Sequence, residues 1–354
     1  MRIAFHIRAE SVFLPLIREI SKRSPPAQLL IICSGSRPAG LSSSIIFEQI
    51  KKPLTKNSSL WYWNQVTLRR ILLLKKVDVF VSEYGFCCMR SDIPQWIYFD
   101  PAFMEQDNVI PSRMGMKLFF PSMAKKAARI ITSETYAEEI LSKYFPAHSS
   151  KALQLSLAEI KDPSLSDWKN REDFLEKVSA GKEYIFCKTS KIQSASIIEL
   201  LKAFSRFKKF QKSGIRLMLA DDLQDPSSYI PSFTSYKFRD EVITTCMSQD
   251  DMWERVAAAF ALIELPGKTL NDVLGETALR NSIPLISGGE SRALANYGNA
   301  AAFVAFSHEE IAGRISEIYK SEPYRQMLAA KGLAHFPGEG LATSAVNLLL
   351  NFAL

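Results

Sequence analysis

AAFALIELPGKTLNDVLGETALRNSIPLISGGESRALANYGNAAA, running from Ala258 to Ala302, decides the fold of this 354-residue chain. An apolar run of strand character (Phe260–Leu265) leads through a polar loop into a helical repeat (Asp272–Arg280). An Asn-Ser-Ile-Pro turn then returns the chain to a second apolar run (Pro284–Ser287). Strand, helix and strand in that order make the repeating unit of a parallel sheet.

Outward from this stretch the same alternation recurs. In the second half it runs through strand Tyr184–Cys187, helix Ser196–Gln211, strands Ile215–Ala220 and Val242–Thr245, and helix Gln249–Ala259. In the first half, strand-like runs at Arg2–Ile7, Gln28–Cys33, Val77–Val81, Gln95–Phe99 and Arg129–Thr132 are interleaved with helical patterns at Phe13–Lys22, Trp63–Lys75 and Tyr136–Tyr144. A polar stretch with a proline and a glycine, 161–182, separates the halves and reads as a linker with a short helix. The expected architecture is α/β: two Rossmann-like parallel-sheet domains, 1–160 and 183–336, facing a cleft.

Composition fits two ordinary globular cores, with 47% hydrophobic residues. Five cysteines (Cys33, Cys87, Cys88, Cys187, Cys246) are odd in number and scattered, with no C-x-x-C spacing, so buried thiols are expected rather than a disulfide framework. The four histidines lie far apart in sequence, and no metal site is expected. MRIAFHIR enters an alternating pattern directly, without the basic start and apolar run of a signal peptide, and no run is long enough to span a membrane. A cytoplasmic protein is the expectation.

The net charge of +7 is carried partly by Lys51-Lys52, Arg69-Arg70, Lys75-Lys76, Lys125-Lys126 and the run RFKKFQK at 206–212. These read as solvated helix faces. Met114–Ala128 sets methionine and aromatic residues beside lysines as a helix resting on anionic lipid would, with Pro121 expected to interrupt it. That segment raises peripheral contact with an anionic membrane. Nothing resembles a nucleic-acid module.

Four segments together resemble family 4 of the retaining, GT-B-fold glycosyltransferases, notably its bacterial mannosyltransferase-like branch. DVFVSEYGFCCMRSDIPQWIYFDPAFM (78–104) is similar to the family's strand, acceptor-side loop and His-Asp segment, and KKAARIITSETYAEEIL (125–141) to its following strand and helix. YIFCKTSKIQSASIIELLKAFSRFKK (184–209) resembles the opening of its nucleotide-side domain, and Ala258–Ala302 its E-x₇-E region. The resemblance implies a nucleotide-diphosphate sugar held mainly by the second domain and a glycan or lipid-linked acceptor held mainly by the first. It also implies no cofactor or metal, and a last helix, 342–352, that packs back on the first domain.

Residue by residue, the charged positions have changed. Where the family places an arginine and a lysine to fork onto the donor diphosphate, this chain has Ser194 and Ala195. The two glutamates fall at Thr269 and Thr277, with Glu276 beside the second. The glycine loop between them becomes Leu270, Asn271 and Asp272. The histidine of the His-Asp pair falls at Phe99, leaving Asp100 as the candidate catalytic group. Thr189, Ser190, Lys191, Ser194, Thr269, Asn271, Asp272, Glu276 and Thr277 are the donor-side candidates, with Lys188 and Lys268 as cations near the vacated positions. Glu83, Tyr84 and Gly85 are the acceptor-side candidates.

Hydrogen bonds to charged groups contribute about 1.5–3 kcal/mol each, so losing four costs on the order of 6 kcal/mol. A micromolar site holds only about 8 kcal/mol in total. Two readings follow. One is a hexosyltransferase with a rewired donor site, acting on a cell-surface polysaccharide or glycolipid precursor. The other is a catalytically degenerate protein of the same fold that partners an active glycosyltransferase or binds glycan.

Overall fold

A computed structural model describes residues 1–8, 11, 13–23, 28–38, 41–50, 63–101, 111–155, 168–190, 192–231, 233–266 and 273–336. The chain divides after residue 157 into two compact units. The expected helix 342–352 lies outside the described residues, as do Lys191, Lys268, Thr269, Leu270, Asn271 and Asp272.

The first unit is built on a seven-stranded, wholly parallel sheet of order β3-β2-β1-β4-β5-β6-β7. Its strands are β1 (Arg2–Ile7), β2 (Gln28–Cys33), β3 (Ile46–Gln49), β4 (Val79–Ser82), β5 (Gln95–Tyr98), β6 (Arg129–Thr132) and β7 (Ala152–Gln154). The interior strand β1 is buried without interruption from Ile3 to Ile7, His6 included, so its burial does not follow the alternation that MRIAFHIR suggests. The strands β3 and β7 escape the sequence pattern because they lie at the sheet edges and are only partly buried.

Helices α1 (Leu14–Arg23), α2 (Arg69–Leu74), α3 (Pro111–Lys126) and α4 (Thr135–Tyr144) connect these strands. A six-residue π-helical segment, Trp63–Leu68, runs directly into α2 and carries two buried amides. Gln65 Nε2 donates to Cys87 O at 2.9 Å, and Gln65 Oε1 accepts from Met89 N at 2.8 Å. Gln95 grips Cys88 in the same fashion, at 2.7 and 2.8 Å. These paired bonds satisfy the buried backbone of the loop around Cys87 and Cys88. Burial pushes both thiols up to about 12, so they stay protonated.

One expectation changes here: the helix α3 runs unbroken through Pro121. Phe120 and Met123 on that helix pack into the core, while Phe119 and Lys125 are exposed. No helix among the described residues is long and apolar enough to cross a membrane.

The second unit holds a six-stranded parallel sheet of order β10-β9-β8-β11-β12-β13. It comprises β8 (Tyr184–Lys188), β9 (Arg216–Asp221), β10 (Val242–Cys246), β11 (Ala261–Glu264), β12 (Leu285–Gly288) and β13 (Ala302–Val304). Its helices are α5 (Trp168–Ser179), α6 (Ser194–Gln211), α7 (Gln249–Ala258), α8 (Leu274–Arg280), α9 (Ser291–Tyr297), α10 (His308–Lys320) and α11 (Glu322–His335). Helix α5 lies within the stretch read as a linker, yet it belongs to this unit and buries Leu175.

One cation of a basic run is not solvated, while Arg206, Lys209 and Lys212 of the same run are exposed. Lys208 of RFKKFQK is buried: its ammonium donates to Ser213 O and to Ile215 O and pairs with Glu241. An amine at that depth is stable only because these acceptors replace water.

His6 on β1 is buried among the rings of Tyr84 (4.5 Å), Trp63 (5.1 Å) and Phe80 (6.4 Å). Desolvation lowers it from 6.5 to about 3. The unfolded chain therefore takes up a proton before the folded chain does, and the unit loses stability as pH falls from 6.5 toward 3. In His6→Phe the acid limb of a urea-midpoint versus pH curve should flatten over that window. Parallel acid limbs would refute this account.

Candidate functional site

In a doubly wound parallel sheet the loops diverge where strand order reverses, and ligands bind at the carboxyl edge there. The first unit reverses between β1 and β4, the second between β8 and β11.

At the first reversal stand all three acceptor-side candidates. Glu83 N donates to His6 O at 3.0 Å and Glu83 Oε2 accepts from Arg8 N at 2.8 Å, so the two diverging loops are tied together. Glu83 is 2% exposed and therefore spends much of its charge on this tie. The Arg8 guanidinium lies 5.5 Å from the centre of the Tyr84 ring. Gly85 sits at φ +70°, where a Cβ would be strained. Asp100 follows β5, one strand further along, and is buried; with burial itself, its charge raises the Tyr98 phenol.

At the second reversal, Thr189 and Ser190 leave β8 and are held in place by their own hydroxyls. Thr189 Oγ1 donates to Ala220 O at 3.1 Å, and Ser190 Oγ accepts from Asp222 N at 3.1 Å. The Tyr229 hydroxyl lies 2.7 Å from both Thr189 Oγ1 and Asp221 Oδ2. Burial, with the Asp221 carboxylate beside it, raises that phenol well above its ordinary value. Lys188 Nζ stands 3.7 Å from Asp222 Oδ2, which offsets its charge. These bonds build a stiff platform and leave Thr189 and Ser190 with structural work of their own.

Ser194 and Ala195 are exposed in the first turn of α6 and supply no charge. Thr277 is 2% exposed, and its hydroxyl donates to Val273 O at 2.9 Å within the helix. Glu276 Oε1 accepts from Arg280 Nε at 2.8 Å and lies 2.7 Å from Arg280 Nη2 in an ion pair. The adjacent glutamate is thus committed to its own helix.

Sequence reasoning missed a different acid. Glu264 ends β11 and pairs in register with Ser287 on β12. Ser287 Oγ donates to Glu264 Oε2 at 2.8 Å, and the Tyr297 hydroxyl at the end of α9 donates to Oε1 at 3.0 Å. Beside this carboxylate lies a cavity of about 30 Å³, lined also by Leu265, Pro266 and Asn296. Its signal in the sequence was an acidic residue closing an otherwise apolar strand, followed 23 positions later by a serine closing the next.

Gly275 makes this arrangement fit. A Cβ there would lie 2.3 Å from Tyr297 Oη and 2.7 Å from Cζ, so the phenol reaches Glu264 only because position 275 has no side chain. Among the described residues, no group of three or more His, Cys, Asp or Glu is arranged to hold a metal ion.

Comparison with solved structures settles the architecture. A glycosyltransferase from Rickettsia africae ESF-5 superposes with a TM-score of 0.70 at 11% identity, covering 99% of this chain and 97% of the other. The fold is GT-B. WaaG, a glycosyltransferase involved in lipopolysaccharide biosynthesis, gives 0.69 at 12% identity over 98% and 99% of the two chains. The UDP-GlcNAc 2-epimerase from Neisseria meningitidis bound to UDP-GlcNAc gives 0.66 at 12% identity over 99% and 100%. At such identities the likeness establishes the GT-B fold and nothing finer. No known family pattern and no curated protein matches the chain.

Two substitutions probe this geometry. Gly275→Ala should force Tyr297 off Glu264 and lower stability by about 1–3 kcal/mol, read as a drop in denaturant midpoint. Thr277→Glu should also destabilise, because it buries a carboxylate beside Glu276. A Gly275→Ala protein as stable as wild type would mean that Tyr297 has room the geometry denies.

Proposed function

We propose that this protein is a glycosyltransferase that binds a nucleotide-diphosphate sugar through its second unit and an acceptor through its first. It transfers a hexosyl group, with retention of configuration, to a cell-surface polysaccharide or glycolipid precursor. The observation that carries this reading is the carboxyl edge of the second sheet, where β8, β11 and β12 present oriented polar side chains beside a strand-order reversal. The GT-B likeness to glycosyltransferases and to a protein holding UDP-GlcNAc supports it. Retention and acceptor class rest on the resemblance to family 4. We assign residues 1–160 with 342–352 to the acceptor side and 183–336 to the nucleotide side. The reaction belongs on the cytoplasmic face of the membrane, where the exposed cationic faces of the first unit favour an anionic surface.

The second reading, a partner or glycan-binding scaffold without transfer activity, draws on Ser194, Ala195 and the committed Thr277. A panel of UDP, GDP, TDP and ADP sugars separates the two. One nucleotide class should raise the melting temperature, since ligand at a hundred times Kd stabilises by about 2.7 kcal/mol. Ser194→Arg with Ala195→Lys should tighten that ligand about tenfold by restoring charge at the first turn of α6. Folded protein that ignores every nucleotide sugar at millimolar concentration would overturn the transferase reading.

A further inference from the structure

The helical segment that leads from Trp63 through α2 has an outer face that nucleotide-sugar chemistry leaves unused. Its inner side is ordinary core: Leu68 and Leu72 are 0% exposed and pack with Ala4, Leu30, Ile32 and Phe80. On the outer side Val66 is 46% exposed, Leu73 56% and Leu74 69%. Positions 66, 70, 73 and 74 follow the three- and four-residue spacing that sets side chains on one side of a helix. A single exposed leucine is normal on a protein surface, whereas a row of apolar side chains on one helix marks a place of contact.

The charge around this row has one sign. Arg69, Arg70 and Lys76 lie among the apolar positions, are exposed, and form no ion pair among the described residues. Lys75 is paired with Glu48 at 2.7 Å, and Asp78 on the other flank accepts from Arg2 N at 2.6 Å, so the flanking acids are engaged elsewhere. From Gln49 to Val77 the sequence has seven Lys or Arg and no Asp or Glu, so this stretch alone carries a charge equal to the net +7 of the whole chain.

The charge calls for an anionic partner and the leucines for an apolar one. A nucleic acid would answer the arginines and leave Leu73 and Leu74 in water. A second copy of this face would meet like charge. A layer of anionic lipid headgroups satisfies both demands, because the leucines enter the acyl boundary while the guanidinium groups stay among the phosphates. Helix α3 has less to offer such a surface, since Phe120 and Met123 are taken up by the core.

We propose that the outer face of residues 63–76, led by Leu73 and Leu74 with Arg69 and Arg70, seats the first unit on an anionic phospholipid surface. The inference rests on the membrane placement within the proposed function and on none of its transfer chemistry.

The experiment sediments the full-length protein with vesicles of phosphatidylcholine alone and of phosphatidylcholine mixed with phosphatidylglycerol. Wild type should bind the mixed vesicles and not the neutral ones, and more weakly as salt rises. Arg69→Gln with Arg70→Gln should weaken binding at least tenfold, since each cation at an anionic surface contributes about fivefold. Leu73→Gln with Leu74→Gln should weaken it by about tenfold through lost apolar insertion. Phe119→Gln with Lys125→Gln on α3 should leave it unchanged. Melting curves matching wild type show that each variant is folded, and should the leucine pair unfold, Leu74→Gln alone decides in its place.

Wild type that ignores the mixed vesicles, or binding that survives both pairs of changes in 63–76, overturns the proposal. So does binding that is lost only with the α3 pair. Single-stranded RNA held as tightly as the mixed vesicles, with the leucine pair silent, would make this a general polyanion face and overturn the lipid assignment. Nucleotide sugars report separately on the same proteins. A melting-temperature rise with a nucleotide sugar and no vesicle binding keeps the transferase reading and removes this face. Vesicle binding lost in both pairs, with no response to any nucleotide sugar, keeps the face and removes the transferase reading.

Discussion

Everything in this molecule depends on two strands that cannot meet water on either face. In the first unit β1, and in the second β8, run through the middle of a parallel sheet with neighbours on both sides. Such a strand stabilises the unit through apolar surface, since Ile3, Phe5 and Ile7 are each 0% exposed and each contributes about 1.5–3 kcal/mol by burial. The same burial disfavours polar side chains along the strand, where His6 is tolerated as a neutral ring, and favours them beyond its carboxyl end. Polar side chains therefore gather at the carboxyl edge of each sheet, Arg8 and Glu83 in the first unit and Thr189, Ser190 and Glu264 in the second.

That confinement explains what could be read from the sequence. The strands β1, β2, β6 and β8 have apolar, mostly buried interiors, and their boundaries follow within a residue. The edge strands β3 and β7 are short and half-covered, so their composition carries little of the signal that a buried strand must show. Helices α10 and α11 are stabilised largely by tertiary contacts: Ile311 and Ile315 are buried against the sheet, and Leu328 joins the same cluster. Lys208 shows the opposite failure, a charge that looks solvated in sequence and is buried because three acceptors converge on it from residues five or more positions away.

The site was less legible than the fold, for a reason of distance. Positions matched to a motif can be named from sequence, but whether a hydroxyl is spent inside the protein depends on atoms far along the chain. Thr189 is bonded to Ala220, 31 residues on, and Ser190 to Asp222, 32 residues on. Glu264 went unnoticed because its partners Ser287 and Tyr297 lie 23 and 33 positions away. Glu83, Tyr84 and Gly85 could be named together because they are contiguous and follow a strand directly.

Gly275 and Tyr297 occupy one volume between them. No single change at either position can be judged alone, because space released at 297 is what a side chain at 275 would need. The pair forms a size-exchange couple: Gly275→Ala should be tolerated far better when Tyr297 is shortened to leucine, although that rescue removes the hydroxyl from Glu264. Helix α8 and helix α9 are thereby coupled through a single missing carbon. Chains that drift at one position should drift at the other, and the carboxylate between them would lose its fixed plane whenever they do.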